Sequence, residues 1–417
     1  MPLVRFRVPA GYLAVYLGAA GLQRLALADD TALAYFWPAS GLAALWMLSG
    51  RTRTQGLWNG SGIVVGGALL DLLLGLDVVP ALLFGLANLT VGLTVRWVWA
   101  LLEVQPLWGP LTRRLASTRD LRHLGFAAAA AGMTGAAPGL LGVLAESGSL
   151  TGAEATLWVV RGACSTFLVV AAVLGLLTTV LRSHAKRGLG AILTPSPRRF
   201  WALELVALVS VSLTAAIVIF GSDGALPIAF LMIVASTWVG SRFTPAVGGI
   251  YAIVLSSLAA VCTQVGLGPF GPIDDHTTRA IIIQVYALMT AIIVLMLSLG
   301  ASERAALLAR ALESEANATS RADLLDAVTS VMVDGLVVIG ADNEVLLSNP
   351  AAEEMAGVGP AHTQVGSARA HGMTQTDGRG PSPRRTCLAR GPCGASTWRR
   401  WTSCASTPRP ASSASSP

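Results

Sequence analysis

The stretch that decides the fold is residues 155–181, ATLWVVRGACSTFLVVAAVLGLLTTVL, in which Arg161 is the single charged residue. A transmembrane helix needs about 20 consecutive, mostly apolar residues, so this stretch is long enough to cross a bilayer. Similar apolar runs, separated by short turns, extend from about residue 10 to residue 300. The sequence therefore predicts an all-α polytopic membrane bundle.

We predict ten spans from the apolar runs. They lie near 10–27, 33–49, 57–75, 79–102, 121–145, 155–181, 200–220, 225–241, 245–266 and 279–300. An eight-span arrangement stays open, because the run at 225–241 is short and the fifth span is rich in glycine.

The charges predict an orientation. Hydrophobic residues make up 53% of the chain and charged residues 12%, mean hydropathy is +0.63 and formal net charge is +6. Basic residues concentrate at the N-terminus, after the last span and in alternate turns: Arg5, Arg7, Arg51, Arg53, Arg113, Arg114, Arg119, Arg122, Arg182, Lys186, Arg187, Arg198, Arg199, Arg242, Arg304 and Arg310. The opposite turns are acidic, with Arg279 as their only basic residue. The positive-inside rule then predicts both termini in the cytoplasm of a plasma-membrane protein, and we expect no nucleic-acid partner.

Three polar residues fall deep within predicted spans, namely Asp71, Asn88 and Arg161. Ionisable groups inside a bilayer are costly, so Asp71 and Arg161 are expected to pair, either as a packing pair or as part of a sensing pocket. Asn88 could bridge two helices.

Three further ionisable residues, Arg24, Arg96 and Glu204, lie near predicted span ends. We expect Arg96 and Glu204 to snorkel toward the cytoplasmic interface.

A distinctive motif, Phe36-Trp37-Pro38-Ala39-Ser40-Gly41-Leu42-Ala43, opens the second span. Together with Trp158 and Gly162 in the sixth span and the Asn88 region, it resembles the first type of the MASE family of bacterial membrane-associated sensor domains. The resemblance covers about residues 10–300 and implies a sensory role. Many family members carry an acidic residue where this chain has Arg161, so ligand chemistry tied to that acid does not carry over.

After residue 300 the composition changes, and residues 302–313 have a strong propensity to form a helix. Leu308, Leu325 and intervening alanines fall near a heptad spacing, which allows a homodimeric coiled-coil stem, although a solvated helix fits equally. Ser320 and Asp323 are expected to cap a separate short helix.

The next segment predicts a hairpin and a helix. Residues 336–339 and 345–348 are the expected strands, 341–344 the turn, and Asn349 caps a helix that Gly357 ends. With Asp334 and Gly335, this segment resembles the beginning of a PAS domain over about 324–359. The resemblance implies a domain that binds a small ligand or relays a signal as a dimer. We assign no cofactor to this chain from the resemblance.

Residues 360–417 contain no Ile, Phe, Tyr, Asn, Lys or Glu, so they are not expected to form a core. A frameshift is one hypothesis for this tail, and a natural disordered tail is the other. The predicted division is therefore a membrane domain at 1–300, a linker at 301–323, the PAS-like fragment at 324–359 and the tail at 360–417.

The sequence favours a membrane sensor for an unknown membrane or small-molecule stimulus. Proteins with a similar order of domains are sensor histidine kinases or diguanylate cyclases. This sequence shows no catalytic motif, nucleotide-binding loop or Cys/His metal spacing. We therefore expect no enzymatic activity, cofactor or metal. A small-solute permease with helices broken at 138–139 and at Pro227 is the alternative, and a structural scaffold is a third reading.

Overall fold

The computed structural model describes residues 11–21, 36–103, 106–108, 115–183, 200–222, 228–339 and 345–356. The chain divides into two compact units, Met1–Leu308 and Ala309–Pro417. Arg24, the 341–344 turn, Gly357 and the 360–417 tail lie outside the described residues, as does Pro227, one of the two predicted helix breaks. The described part of the chain is mostly helical.

The helices and strands follow in chain order. They are α1 (Gly11–Gly21), α2 (Pro38–Ser49), α3 (Arg53–Leu73), α4 (Val78–Leu102), α5 (Thr118–Ser147), α6 (Gly152–Ser183), α7 (Trp201–Phe220), a 3₁₀ turn (Ile228–Phe230), α8 (Leu231–Arg242), α9 (Pro245–Gln264), α10 (His276–Val331), β1 (Val337–Ile339), β2 (Val345–Ser348) and α11 (Pro350–Ala356).

Seven of the described helices are long and apolar enough to cross a bilayer, namely α3, α4, α5, α6, α7, α9 and α10. The prediction of apolar, membrane-length helices is confirmed for these seven. The predicted spans at 10–27, 33–49 and 225–241 coincide with shorter helices, α1, α2 and the 3₁₀–α8 segment. The structure is thus compatible with a multi-pass membrane protein, and the count of ten spans stays a prediction.

Helix α6 is the most buried of the seven, with 72% of its most apolar window inside the protein. The neighbouring helices pack closely against the backbone of α6. A Cβ added to Gly132 of α5 would lie 2.5 Å from the Val159 carbonyl oxygen. On another side, a Cβ added to Gly249 of α9 would lie 2.7 Å from Ala172 Cα. Small residues therefore set the helix spacing around α6.

The predicted break in α5 at 138–139 is wrong, because this helix continues through Pro138 from Thr118 to Ser147. Proline removes one backbone hydrogen bond, yet apolar bundles tolerate it where neighbouring groups and local adjustments compensate. The helix is well anchored at its start, where Ser117 and Asp120 form a capping box. The 138–139 site therefore offers no broken-helix binding site.

The stem is one helix, because α10 runs without interruption from His276 to Val331. The prediction of a separate helix capped at Ser320 is therefore wrong. Alanine, leucine, glutamate and arginine dominate this stretch, and their helix propensity carries the helix through the serine.

The hairpin and the following helix form as predicted. Strands β1 and β2 pair antiparallel, with Val337 opposite Ser348 and Val338 opposite Leu347. Helix α11 begins at Pro350, directly after Asn349. Two short strands and one helix do not define a whole domain, so the PAS assignment stays a prediction.

Candidate functional site

A small cavity lies among α2, α4, α5 and α6, and several predicted site residues line it. Those predicted from the sequence are Trp37, Asn88, Trp158, Arg161 and Gly162. The space open to the centre of a water molecule is about 30 Å³. One water needs roughly 10–15 Å³ on this measure, so the cavity holds about two waters or a ligand of similar size.

The charged group of the cavity is Arg161, which is only 4% exposed. Its guanidinium carbon lies 4.4 Å from the ring centre of Trp158 and 5.5 Å from that of Trp37. Trp158 precedes Arg161 by three residues on α6, so both side chains occupy one face of that helix. Stacking over aromatic faces stabilises a desolvated guanidinium by about 2 kcal/mol.

Hydrogen bonds hold Trp37 at the start of α2. Its backbone N–H donates to Ser165 Oγ at 2.9 Å, and its indole N–H donates to Asn88 Oδ1 at 3.4 Å. The Asn88 amide in turn donates to the Phe84 carbonyl at 3.2 Å. Phe84 also stacks on Trp158, with ring centres 5.6 Å apart. Asn88 thus bridges α4 to α2, as the sequence suggested it could.

The remaining motif residues dock α2 onto α6. Pro38 occupies the first turn of α2. The Thr166 hydroxyl donates to Ser40 Oγ at 3.3 Å, and Ser40 donates to the Trp37 carbonyl at 2.9 Å. A Cβ on Gly41 would lie 2.5 Å from Val169 Cβ, so only glycine fits there without a shift. The motif therefore has a structural role in placing Trp37 beside Arg161.

Asp71 is buried in the last turn of α3, but it does not line the cavity. It lies close enough to the Tyr16 phenol for electrostatic interaction, and that phenol also lies beside Asn88. The Asp71–Arg161 ion pair stays a prediction.

The expected snorkelling of Arg96 is wrong, because the side chain is 1% exposed and points into the protein. Its guanidinium donates to the Met47 carbonyl at 2.6 Å and the Leu48 carbonyl at 3.3 Å, and it lies 4.0 Å from the centre of the Trp108 ring. These carbonyls belong to the last turn of α2, where helical partners are missing. Arg96 therefore caps α2 from α4.

Glu204 behaves differently, because it remains near a helix end. Its carboxylate lies 3.1 Å from the Arg242 guanidinium and accepts from the Trp238 indole at 3.4 Å. This partly exposed ion pair joins α7 to α8.

Among the described residues of the second unit, Asn349 is the polar side chain with the most hydrogen bonds, and it is 1% exposed. Its Oδ1 accepts from the backbone N–H groups of Leu336 at 2.7 Å and Ala352 at 3.0 Å. Its Nδ2 donates to the carbonyls of Thr329 and Asp334, both at 3.0 Å. One side chain therefore ties the end of α10 to the hairpin and to α11.

Gly335 completes this arrangement, since a Cβ there would lie 3.0 Å from Ala352 Cα. Sequence reasoning identified Asn349 as a helix cap but missed its bonds to Thr329 and Asp334. It also missed Ser165 and Thr166, whose only sequence signal is two adjacent hydroxyls within the apolar run of α6.

Among the described residues, no group of three His, Cys, Asp or Glu side chains is placed to hold a metal ion. The cavity is lined by a guanidinium, aromatic rings, a hydroxyl and a carboxamide. Comparisons with known protein families, curated proteins and solved structures found no match for this chain.

Proposed function

We propose that this chain is an integral plasma-membrane sensory protein, with both termini in the cytoplasm. The stimulus acts on the bundle around Arg161, and α10 carries the resulting displacement to the hairpin and α11. The observation that supports this most directly is the unbroken run of α10 from an apolar span to Val331. A rigid helix transmits a small shift or rotation along its length.

The end of α10 provides the second support. Asn349 makes four hydrogen bonds, which link Thr329, in the last turn of α10, to Asp334, Leu336 and Ala352. A displacement of the helix end would therefore strain bonds in the hairpin and in α11. Such a bonded junction is the kind of element that a signal can bias between two arrangements.

The stem also favours a homodimer. Leu308 and Leu312 are both 63% exposed on α10, and four-residue spacing places them on one helix face. A second copy of the helix would cover such a stripe in a coiled coil. In this proposal the helical bundle senses the stimulus and the stem relays the signal. Catalysis belongs to a separate effector.

The cavity supports sensing over solute passage. Its volume of about 30 Å³ accommodates about two waters, and its walls are hydrogen-bonded across helices. The continuity of α5 through Pro138 removes one of the two broken helices on which a permease reading relied.

The test is hydrogen exchange by mass spectrometry on the full chain in nanodiscs. Arg161→Gln changes the cavity, and we expect amide exchange in 329–356 to change at least about threefold, since sub-global opening tracks local stability. Arg242→Gln removes an equal charge from an exposed pair and should leave that region unchanged.

A second variant tests the route. Adding Ala311→Pro should interrupt α10 in the stem and abolish the effect of Arg161→Gln on 329–356. An unchanged exchange pattern in Arg161→Gln would contradict the relay. Uptake of labelled solutes into vesicles holding the purified chain would instead support a permease.

A further inference from the structure

We infer that one end of the apolar helical bundle binds the headgroups of anionic phospholipids through exposed aromatic and arginine side chains. The inference rests on the membrane location in the proposed function and goes beyond it, because it names the lipid that one end of the bundle selects. The exposed aromatic residues at this end, which we call the aromatic band, are Trp58, Trp97, Phe126, Phe200 and Trp238.

Large aromatic side chains are exposed unevenly along the bundle. Trp58 is 72% exposed, Phe126 67% and Trp97 58%. Among the described residues, Phe230 is the one exposed tryptophan or phenylalanine outside the band, and it lies at the beginning of α8, whereas Trp238 lies toward its end. Aromatic rings are enriched where hydrocarbon meets lipid headgroups, so the band marks one membrane interface.

Contacts between helices show that the band residues of α3, α4 and α5 lie at one end. The Nδ1 atom of His123, near the start of α5, lies 2.7 Å from Oε1 of Glu103, which follows the end of α4. A Cβ added to Gly60 of α3 would lie 3.0 Å from Leu89 of α4, and one added to Gly67 would lie 3.8 Å from Gly85 Cα. Helices α3 and α4 are therefore antiparallel, and the start of α3 lies beside the end of α4.

The band continues onto α7 and α8 at the same end. The backbone N–H of Leu115, just before α5, donates to Thr178 Oγ1 in the last part of α6 at 3.1 Å. A Cβ added to Gly175 of α6 would lie 3.1 Å from the carbonyl oxygen of Pro245, the first residue of α9. Helix α8 ends two residues before α9 begins, and its Trp238 reaches the start of α7 through Glu204.

The charges divide along the same axis. Exposed arginines of the described residues at the band end are Arg51, Arg53, Arg119, Arg122 and Arg242. The carboxylates at this end are already bonded within the protein: Glu103 to His123, Asp120 to the cap of α5, and Glu204 to Arg242. The other end carries Asp77, Glu146, Glu154, Asp274 and Asp275, with Arg279 as the basic residue among its described residues. The band end is therefore the one that attracts anions.

The order of rings and charges along the helices identifies the anion as a lipid headgroup. Arg122 precedes Phe126 by four residues on α5, so the two exposed side chains share a helix face, with the guanidinium about 6 Å nearer the helix end. Arg53 and Trp58 follow the same order on α3. A ring at the hydrocarbon boundary and an arginine one turn further out match a phospholipid, whose phosphate lies just outside its acyl chains.

The test is electron paramagnetic resonance on the full chain in phosphatidylcholine vesicles, with spin-labelled phosphatidylglycerol or phosphatidylcholine of the same acyl chain. We expect phosphatidylglycerol to associate about threefold more strongly, since lipids beside an arginine gain about fivefold and those at the other end gain nothing. The preference should fall as salt is raised, because these charges are exposed. Equal association of the two lipids would overturn the inference and leave the arginines for an acidic protein partner.

Arginine variants locate the lipid. The double variant Arg53→Gln/Arg122→Gln should lose at least about a third of the preference for phosphatidylglycerol. Arg279→Gln, at the opposite end, is the matched control and should keep the preference of the parent. A preference that survives the double variant in full, or that Arg279→Gln removes, would place the anionic lipid elsewhere.

Spin labels on the protein test the depth of the band. In a cysteine-free background, labels at Phe126→Cys and Met133→Cys lie on one face of α5, about 10 Å apart along the helix. The label at 126 should collide with a water-soluble nickel complex, and the label at 133 with oxygen dissolved in the hydrocarbon. The same hydrocarbon signature at both positions would overturn the interfacial band.

The two proposals fail in different ways. A phosphatidylglycerol preference with no effect of Arg161→Gln on exchange in 329–356 would leave the lipid band standing and contradict the relay. Altered exchange in Arg161→Gln without any lipid preference would support the relay and overturn the lipid band.

Discussion

Two groups of apolar helices differ in how their buried polar side chains are bonded. In the N-terminal helices, α2 to α6, several of these side chains bond across to a neighbouring helix. Asn59 of α3 donates to the Trp46 carbonyl at 2.8 Å, Arg96 of α4 donates to the Met47 carbonyl, and Thr166 of α6 reaches Ser40. Polar cross-links thus fix one arrangement of these helices.

In the C-terminal helices, α7 to α10, several buried polar atoms have no hydrogen-bond partner among the described residues. They are Ser256 Oγ, Thr263 Oγ1 and Gln284 Oε1. In the N-terminal group, the Trp46 indole N–H is a comparable case. Unsatisfied polar groups are expensive in an apolar setting and call for water or another partner.

Under the proposed function, this difference corresponds to two tasks, recognition and displacement. The N-terminal helices hold the cavity in a defined shape, and the C-terminal helices include α10, which leads to the stem. A helix whose buried polar atoms lack a protein partner can change position without breaking a hydrogen bond at those atoms. If the chain is a sensor as proposed, we expect recognition in the N-terminal group and displacement in the C-terminal group.

The largest expected effect comes from breaking a cross-link of the N-terminal group. Arg96→Met should lower the free energy of unfolding by about 3 kcal/mol, because two carbonyls of α2 lose a charged donor. Titration with SDS in mixed micelles measures this change. Arg242→Met, which removes a partly exposed ion pair, should cost less than about 1 kcal/mol. Equal losses in both variants would contradict a special role for Arg96.

The next effect concerns the close backbone contact between α5 and α6 at Gly132, which lines the cavity. In Gly132→Ala the new Cβ would lie 2.5 Å from the Val159 carbonyl oxygen and 2.9 Å from the Ala163 nitrogen. Since both are backbone atoms, α5 and α6 must separate, and we expect a loss of about 2 kcal/mol. Gly300→Ala is the matched control within a helix, with no atom within 4 Å. It should stabilise α10 by up to about 1 kcal/mol. A neutral Gly132→Ala would show that the helices are not in close contact.

The features that could be predicted from the sequence are those that depend on the local pattern of residues. Apolar runs located the long helices, and Asn349 followed by Pro350 marked the start of α11. The Trp37 motif and Trp158 lie about 120 residues apart in the sequence, and the structure brings them to one cavity.

The predictions that were wrong concern features that depend on which helices are neighbours in the fold. The inward turn of Arg96 requires the end of α2 as a neighbour, and no pattern within α4 reports that neighbour. The continuity of α5 at Pro138 depends on packing, since the local rule for proline predicts a break. In the stem, propensity summed over many residues outweighed the capping signal at Ser320.

A pair of threonines tests the comparison directly, because both are 0% exposed. Thr166 donates to Ser40, whereas Thr263 Oγ1 has no partner among the described residues. Thr166→Val should lower the free energy of unfolding by about 1 kcal/mol, and Thr263→Val should be neutral or slightly stabilising. The same SDS titration measures both isosteric variants. A loss at Thr263 as large as that at Thr166 would indicate a bound water or ligand there and would erase the contrast.

The smallest effect concerns the start of α10, at the other end from the stem. The Asp275 carboxylate accepts from the hydroxyl and the backbone N–H of Thr278, and these two bonds hold the pKa of Asp275 below its ordinary value. A lowered pKa in the folded state stabilises the helix start above about pH 4, and this contribution is lost as the pH falls through the lowered value.

Amide exchange at residues 276–280 should therefore become faster, relative to its intrinsic pH dependence, as the pH is lowered from 6 to 3. Asp275→Asn keeps a capping side chain but cannot ionise, so it should remove this pH dependence while leaving exchange in the cavity helices unchanged. If the variant keeps the parent's acid profile, another group controls the start of α10, and the first turn of this helix does not depend on the Asp275 cap.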